Sequence, residues 1–344
     1  MVVGDGADIT NNDEITSVVG DGVRVEGAGL RFENNGTIVA GGDGLAIAGD
    51  GYDVVNHKQI KAAGVGLLLD GDGTVLTQNV ITGKVAVMVE SGMAIIENNN
   101  LLRSTSKALA TVIGSDEGLQ FINTSAVRSN SGIAIQGDAG SDVIDNRGWL
   151  EGDVRLGGGD DTFLGSTGGV SGVIRGGGGD DLYVINSSLQ VKETAAGGID
   201  TVHSTDSYRL KKNFENLTLL GEDPMTAKGN GLDNVLVGNI GNNRLAGGRG
   251  NDTLDGGAGN DRLTGNAGRD VFVFAPGSGT DRIMDFDDGR DRISLAAFED
   301  IETMGDVRDH MVVGRRNAVI EIGEDRLVIV GGADIHFRAD DFLF

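Results

Sequence analysis

The sequence predicts an all-β solenoid: a right-handed parallel β-helix continuing into a parallel β-roll, with a small antiparallel cap at the C-terminal end. Three observations carry this. Glycine supplies 59 of 344 residues, against 2 prolines and 4% aromatics, which suits many short strands joined by tight turns better than a layered core. A nine-residue unit runs without a gap from Gly229 to Val273. Upstream of it, asparagines recur roughly every 22 residues.

The asparagine system runs through residues 1–136, the predicted β-helix, and reaches Asn146 just beyond it. Asn34, Asn56, Asn98, Asn123 and Asn146 each precede an aliphatic residue by four, and Gln78 fills the gap imperfectly. Turn signals (GGDG at 41–44, GDG at 49–51 and at 71–73) alternate with aliphatic triplets such as LAI and LLL. Such a coil, with an inward polar residue at one corner, resembles the right-handed parallel β-helix, in which stacked asparagines bond along the axis. Aligned on that column, Lys61, Arg103 and Arg128 share one offset and Lys84 lies one place on.

Residues 137–228 read as a transition. GDAGSDVID, LGGGDDTFL and GGGGDDLYV carry Asp142, Asp161 and Asp181, and Asp200 follows them, at spacings of 19, 20 and 19. One aspartate corner per coil joins the wider helix to the roll of residues 229–275. There the units GNGLDNVLV, GNIGNNRLA, GGRGNDTLD, GGAGNDRLT and GNAGRDVFV put Asn234, Asn243, Asp252, Asp261 and Asp270 at the sixth place. Their eighth place holds Leu236, Leu245, Leu254, Leu263 and Phe272. One apolar residue every nine fits a short strand and a turn with one inward side chain, not a helix. If two units make a coil, Asp252 stacks over Asp270 and Asn243 over Asp261 at about 4.8 Å. Carboxylates at that spacing need a cation. Calcium suits them, because it takes six to eight oxygens and accepts backbone carbonyls beside carboxylates. Gly247, Gly248, Gly250, Gly256, Gly257, Gly259 and Gly268 let the turn bring such carbonyls close.

GGRGNDTLD and GGAGNDRLT match the GGxGxDxUx pattern at every defined place. On these residues the chain resembles the RTX, or hemolysin-type calcium-binding, secreted proteins. The resemblance implies several bound Ca2+ ions, with the first sites weaker because Asn234 and Asn243 carry no charge. The segment from GGIDTVHS to GNGLDNVLVGN also resembles what precedes nonapeptides in that family. Beyond Val273, DVFVFAPGSGTDRIMDFDDGRDRISLAAF resembles the closing region of serralysin-type C-terminal domains, which adds Asp281, Asp285 and Asp291 as candidate ligands. Residues 276–344 then supply the cap: MVVG, AVIEIG and RLVIVGG read as strands joined by RRN and GED turns. The final ADDFLF resembles the tail of type I secretion substrates and so implies a bacterial exporter as partner; the alternative is an ordinary docked strand.

Charge narrows the function. The chain carries 52 acids against 28 bases, a net of −24, which argues against nucleic acid as a partner. The excess sits with the glycines: residues 131–300 hold 27 acids and 15 bases, residues 31–130 only 10 and 7. There is no cysteine, no apolar run long enough for a transmembrane segment, and no Sec-type leader in MVVGDGADIT. No catalytic constellation is legible. His57, His203, His310 and His336 stand in no HExxH spacing, and GVSGV lacks the last glycine of a nucleophile elbow. Tyr52, Tyr183 and Tyr208 lie away from the basic column. The sequence thus points to a secreted calcium-binding protein that folds on Ca2+ outside the cell in a structural or adhesive surface role. The alternative is a polysaccharide lyase or C5-epimerase, since mannuronan epimerases resemble this chain in joining a β-helix to RTX modules. In both cases Lys61, Lys84, Arg103 and Arg128 are candidates for gripping an extracellular polysaccharide.

Overall fold

A coil with one inward side chain per strand cannot bury that side chain alone; only the next coil covers it. The structure, a computed structural model, describes residues 5–332 and 335–344, so the first four residues of MVVGDGADIT lie outside it. It meets this requirement in two compact units, Met1–Gly198 and Ile199–Phe344. Both are parallel β-solenoids, and an antiparallel sheet lies at the C-terminal end of the chain.

In the first unit a coil has three strands, as in Arg31–Asn34, Ile38–Ala40 and Leu45–Ala48, and the next begins at Tyr52. Alternate residues point inward, so each strand contributes to a file along the axis. One file runs Phe32, Val54, Val75, Ile96, Phe121, Ile144, Phe163, Tyr183. A second runs Ile38, Ile60, Ile81, Leu102, Val127, Leu150. Every member is at most 2% exposed. Burying each such side chain stabilises the stack by roughly 1.5–3 kcal/mol.

The inward asparagines form the expected file. Asn34 Nδ2 donates to Asn56 Oδ1 at 2.7 Å, Asn98 to Asn123 at 2.8 Å, and Asn123 to Asn146 at 2.8 Å. Asn11 adds an unforeseen first rung, donating to Asn34 at 2.8 Å. One expectation is corrected. Thr77, not Gln78, stands between Asn56 and Asn98, because strand alternation turns position 78 outward, where Gln78 Oε1 lies 2.8 Å from His57 Nδ1. Thr77 spends its hydroxyl on Asn79 O, and the buried Asn56 Nδ2 has no acceptor. Thr77→Asn is therefore expected to mend the file and stabilise the unit by about 1 kcal/mol, read from the midpoint of chemical denaturation. A lowered midpoint would mean that the rung has no room for the amide.

The second unit has two strands per coil. Val202, Leu217, Leu236, Leu254, Phe272, Ile293 and Phe342 make one inward file. Ala227, Leu245, Leu263, Ile283 and Ile329 make the other. The eighth-place residues of all five nonapeptides are thus core, at most 1% exposed. Met311–Val313, Asn317–Ile322 and Asp325–Val330 form the antiparallel sheet. An unforeseen helix, Met304–His310, precedes it, started by a capping box in which Thr303 N donates to Asp306 Oδ2 at 2.8 Å. In the tail, Phe342–Leu343 docks in parallel on Arg292–Ser294, the placement expected of an ordinary strand.

Candidate calcium-binding turns

Each sixth-place residue ends a glycine turn and immediately precedes a strand of the solenoid. Parallel register therefore lays these residues over one another. In the first unit Leu119 N donates to Asp142 Oδ1 at 2.6 Å, Asp142 N to Asp161 Oδ1 at 2.7 Å, and Asp161 N to Asp181 Oδ1 at 2.9 Å. In the second, the file reads Asp200, Glu215, Asn234, Asp252, Asp270, Asp291. Asp200 N donates to Glu215 Oε2 at 2.8 Å, Asn234 N to Asp252 Oδ1 at 2.8 Å, Asp252 N to Asp270 Oδ1 at 2.8 Å, and Asp270 N to Asp291 Oδ1 at 3.0 Å. The other sheet carries a shorter file, Asn243 N to Asp261 Oδ1 at 2.6 Å and Asp261 N to Asp281 Oδ1 at 2.9 Å.

One carboxylate oxygen is thus used by the backbone of the preceding rung. In five of these residues the second oxygen is not, whereas Asp291 Oδ2 accepts from Asp287 N at 2.9 Å. Oδ2 of Asp142, Asp161, Asp252, Asp261 and Asp281 is buried and has no hydrogen-bond partner. It faces the first glycine of its own turn: a Cβ on Gly137, Gly247 or Gly256 would collide with the Oδ2 of Asp142, Asp252 or Asp261. Gly248 and Gly250 hold φ at 121° and 105°, which only glycine adopts easily. The turn is therefore a cradle around an unmet anionic oxygen.

The electrostatics agree. Burial, opposed in part by the backbone bond and reinforced by neighbouring carboxylates, pushes Asp142 and Asp252 up to about 7, Asp161 and Asp281 to about 8, and Asp261 to about 6. Burial likewise raises Asp270 and Asp291. Two ionised carboxylates one rung apart repel by roughly 3 kcal/mol at an effective dielectric constant near 20. A divalent cation between them would cancel that repulsion and supply the missing partner of Oδ2, so the residues present fit calcium.

The asparagine rungs differ in kind. Asn234 Nδ2 donates to Phe214 O at 3.0 Å and Glu215 O at 3.1 Å. Asn243 Nδ2 donates to Asn239 Oδ1 at 2.8 Å. Where aspartate has an unmet acceptor, these rungs place a satisfied donor. Asn243→Asp would aim an oxygen at oxygens, an arrangement that a cation relieves. The variant is expected to bind one more calcium ion by titration calorimetry; unchanged stoichiometry would show that this turn cannot take one.

Of the late acids, Asp281 and Asp291 sit in the files, whereas Asp285 is outside them and accepts from Gly265 N at 3.0 Å and Asn266 N at 2.8 Å. Two acids missed in the sequence do similar work. Glu193 accepts from Gly176 N and Gly177 N at 3.2 Å each, and Asp325 from Gly277 N and Gly279 N at 2.8 Å each. Glu215, the missed file member, stands 15 residues after Asp200, off the 18-to-20 rhythm that revealed the others.

The basic column is corrected by the same one-place slip that misplaced Gln78. Its order is Lys61, Thr82, Arg103, Arg128, Glu151, and Lys84 lies off it. Arg103 and Arg128 line a shallow cleft of about 350 Å3 with Ser104, Asn130 and Glu151, and Arg128 Nε is 3.9 Å from Glu151 Oε2. Tyr52, Tyr183 and Tyr208 are core residues, and burial pushes the Tyr208 phenol up to about 12 and raises that of Tyr52. Neither phenol suits acid–base work near neutrality. Among the described residues no cluster of three or more metal-liganding groups includes a histidine.

These turns define the class: a parallel β-solenoid whose glycine turns carry stacked carboxylates. The RTX calcium-binding nonapeptide repeat matches in four copies across residues 229–262 and 237–272, and RTX nonapeptides bind Ca2+. The chain is similar to the endo-1,3-1,4-β-glycanase ExsH of Rhizobium meliloti (strain 1021), 40% identical over 117 residues. That match covers 33% of this chain and spans about a fifth, 20%, of the relative. Among solved structures it resembles the AlgE6R3 subunit of the Azotobacter vinelandii mannuronan C5-epimerase (26% identity, TM-score 0.26, covering 40% of this chain and 83% of that one). It also resembles the extracellular lipase LipA of Serratia marcescens (18% identity, TM-score 0.31, 67% and 40%). No helix among the described residues is long and apolar enough to cross a membrane.

Proposed function

We propose that the protein is a secreted calcium-binding solenoid that completes its folding on Ca2+ outside the cell and then serves a structural or adhesive role. The observation that carries this reading is the set of buried, unpartnered Oδ2 atoms in the glycine cradles. Asp142, Asp161, Asp181, Asp200, Asp252, Asp261, Asp270, Asp281 and Asp291 act as ligands through 137–228, 229–275 and the start of 276–344, while 1–136 stands without metal on its asparagine file. Extracellular calcium modules bind at roughly 10⁻⁴–10⁻³ M, so the low calcium inside a cell leaves the files repelling and the chain loose enough for a type I exporter. Binding energy then becomes folding energy. Limited proteolysis tests this: residues 199–344 should be cut at submicromolar free calcium and resist at millimolar. Equal resistance at both would overturn it.

A second reading, a polysaccharide-active protein, is favoured by the Arg103–Arg128 cleft and by the glycanase that the chain matches in part. It expects slow cleavage or epimerisation of a polyuronate, abolished by Arg103→Ala.

A further inference from the structure

In the sheet that carries the shorter aspartate file, five consecutive strands have an outer face of one sign, and only beyond them does Glu321 stand beside Arg326. The five are Tyr208–Arg209, Thr226–Lys228, Arg244–Arg249, Arg262–Ala267 and Thr280–Ile283. Arg209 stands opposite Lys228. One file over on the same face, Arg244 stands opposite Arg262 and Arg262 opposite Arg282. Five successive rungs therefore each present one cation, at the strand spacing of about 4.8 Å. Their inward neighbours Leu245, Leu263 and Ile283 are core, which fixes the arginines outward. Arg209, Lys228, Arg244 and Arg262 are exposed; Arg282 is half-buried, and its Nε is a buried donor without an acceptor.

Among the described residues no acid pairs with this strip. Asp281, the one acid in these five strands, is buried. Among the described residues none of the five cations joins an ion pair, although Arg24, Arg31, Arg128, Arg147, Arg175, Arg290 and Arg326 all do. Stacked like charges destabilise a sheet, and a chain of net charge −24 has acids to spare for pairing them. A shallow cleft of about 400 Å3 crosses the strip, lined by Thr226, Lys228, Arg244, Ala246, Arg262 and Thr264 among others.

We infer that this strip binds a linear acidic polysaccharide with one carboxylate per sugar, laid along the solenoid axis. A repeating cation matches a repeating monovalent anion, and guanidinium groups grip carboxylates by paired bonds. The threonine hydroxyls meet sugar hydroxyls, and Ala246 leaves room for a ring. The five strands offer no exposed aromatic side chain, so a nucleic acid finds no stacking platform. Asp261 and Asp281 directly precede Arg262 and Arg282 in the chain, so calcium held by those carboxylates removes the negative charge beneath the strip. The inference rests on the calcium reading in this respect: ion and polysaccharide should strengthen each other's binding.

The test is calorimetry of the full chain at millimolar calcium, with short oligouronates that do not gel, neutral oligosaccharides of the same length, and single-stranded DNA. Wild type should bind the oligouronate, with affinity falling as salt rises. Arg244→Gln/Arg262→Gln should bind at least tenfold more weakly while its calcium-dependent circular dichroism is unchanged, and Arg315→Gln, away from the strip, should match wild type. Equal affinity of the double variant, equal binding of the neutral sugar, or preference for DNA would each overturn the assignment. Calcium-independent folding with oligouronate binding intact would sink the calcium reading alone; calcium-dependent folding without oligouronate binding would sink the strip alone.

Discussion

In excess EGTA the Ile199–Phe344 unit is expected to lose most of its β-structure, and millimolar calcium to restore it. The physical reason is local. Asp252, Asp261 and Asp281 each keep a buried oxygen without a partner, and like charges repeat at every rung except those of Asn234 and Asn243. Each calcium site held at ten times its dissociation constant adds about 1.4 kcal/mol to the folded state. A whole domain has only about 5–15 kcal/mol to lose, so emptying several sites removes a large share of it. Far-UV circular dichroism gives the total, and peptide-level hydrogen exchange gives the place. Protection in residues 199–294 should collapse, and protection between Asp142 and Asp181 should fall with it. Coils between Arg31 and Ser104 rest on asparagine bonds and aliphatic files, and should keep theirs. Uniform protection with and without EGTA would refute the assignment of these turns to calcium.

Acid should partly replace the metal. In the metal-free fold Asp252, Asp261 and Asp281 sit at about 7, 6 and 8, against about 3.9 for aspartate in an unfolded chain. Raised folded values mean that the native state holds more protons than the unfolded state between these limits. The resulting stability is fully present below about pH 4 and is lost as pH climbs through 6 to 8. With EGTA present, β content should therefore rise as pH is lowered from 8 to 5.5. With calcium present the sign reverses, because the ion needs the ionised carboxylates that protons would occupy. The two melting curves should converge on acidification. Metal-free β content that stays flat or drops over that range would mean that the files are not desolvated as the geometry requires.

Much of this was legible in the chain because a solenoid converts sequence period into spatial stacking. Nonapeptide spacing alone placed Asp252 over Asp270 and Asn243 over Asp261, and the structure keeps both pairs. The asparagine file was legible for the same reason, and failed at one rung. Thr77 is small and polar but not an asparagine, so only strand alternation reveals it; Gln78 looked the better match, and counting from it set Lys84 one place from a column whose member at that coil is Thr82. The helix at Met304 carried a readable signal, threonine followed three places on by aspartate, but it lay beyond the repeat where no period guided the eye.

The sequence by itself determined the parallel solenoid, the inward apolar files and the aspartates that stack. These depend on which residue recurs at which interval, and intervals survive without coordinates. Only the tertiary structure decided which carboxylate oxygen each rung uses and which it leaves unmet, that the asparagine rungs close on carbonyl and amide oxygens of their neighbours, and that five cations from separate coils share one outer face. Those facts depend on hydrogen-bond direction and on the side of a strand from which a side chain emerges. Register fixes both, and no spacing along the chain states them.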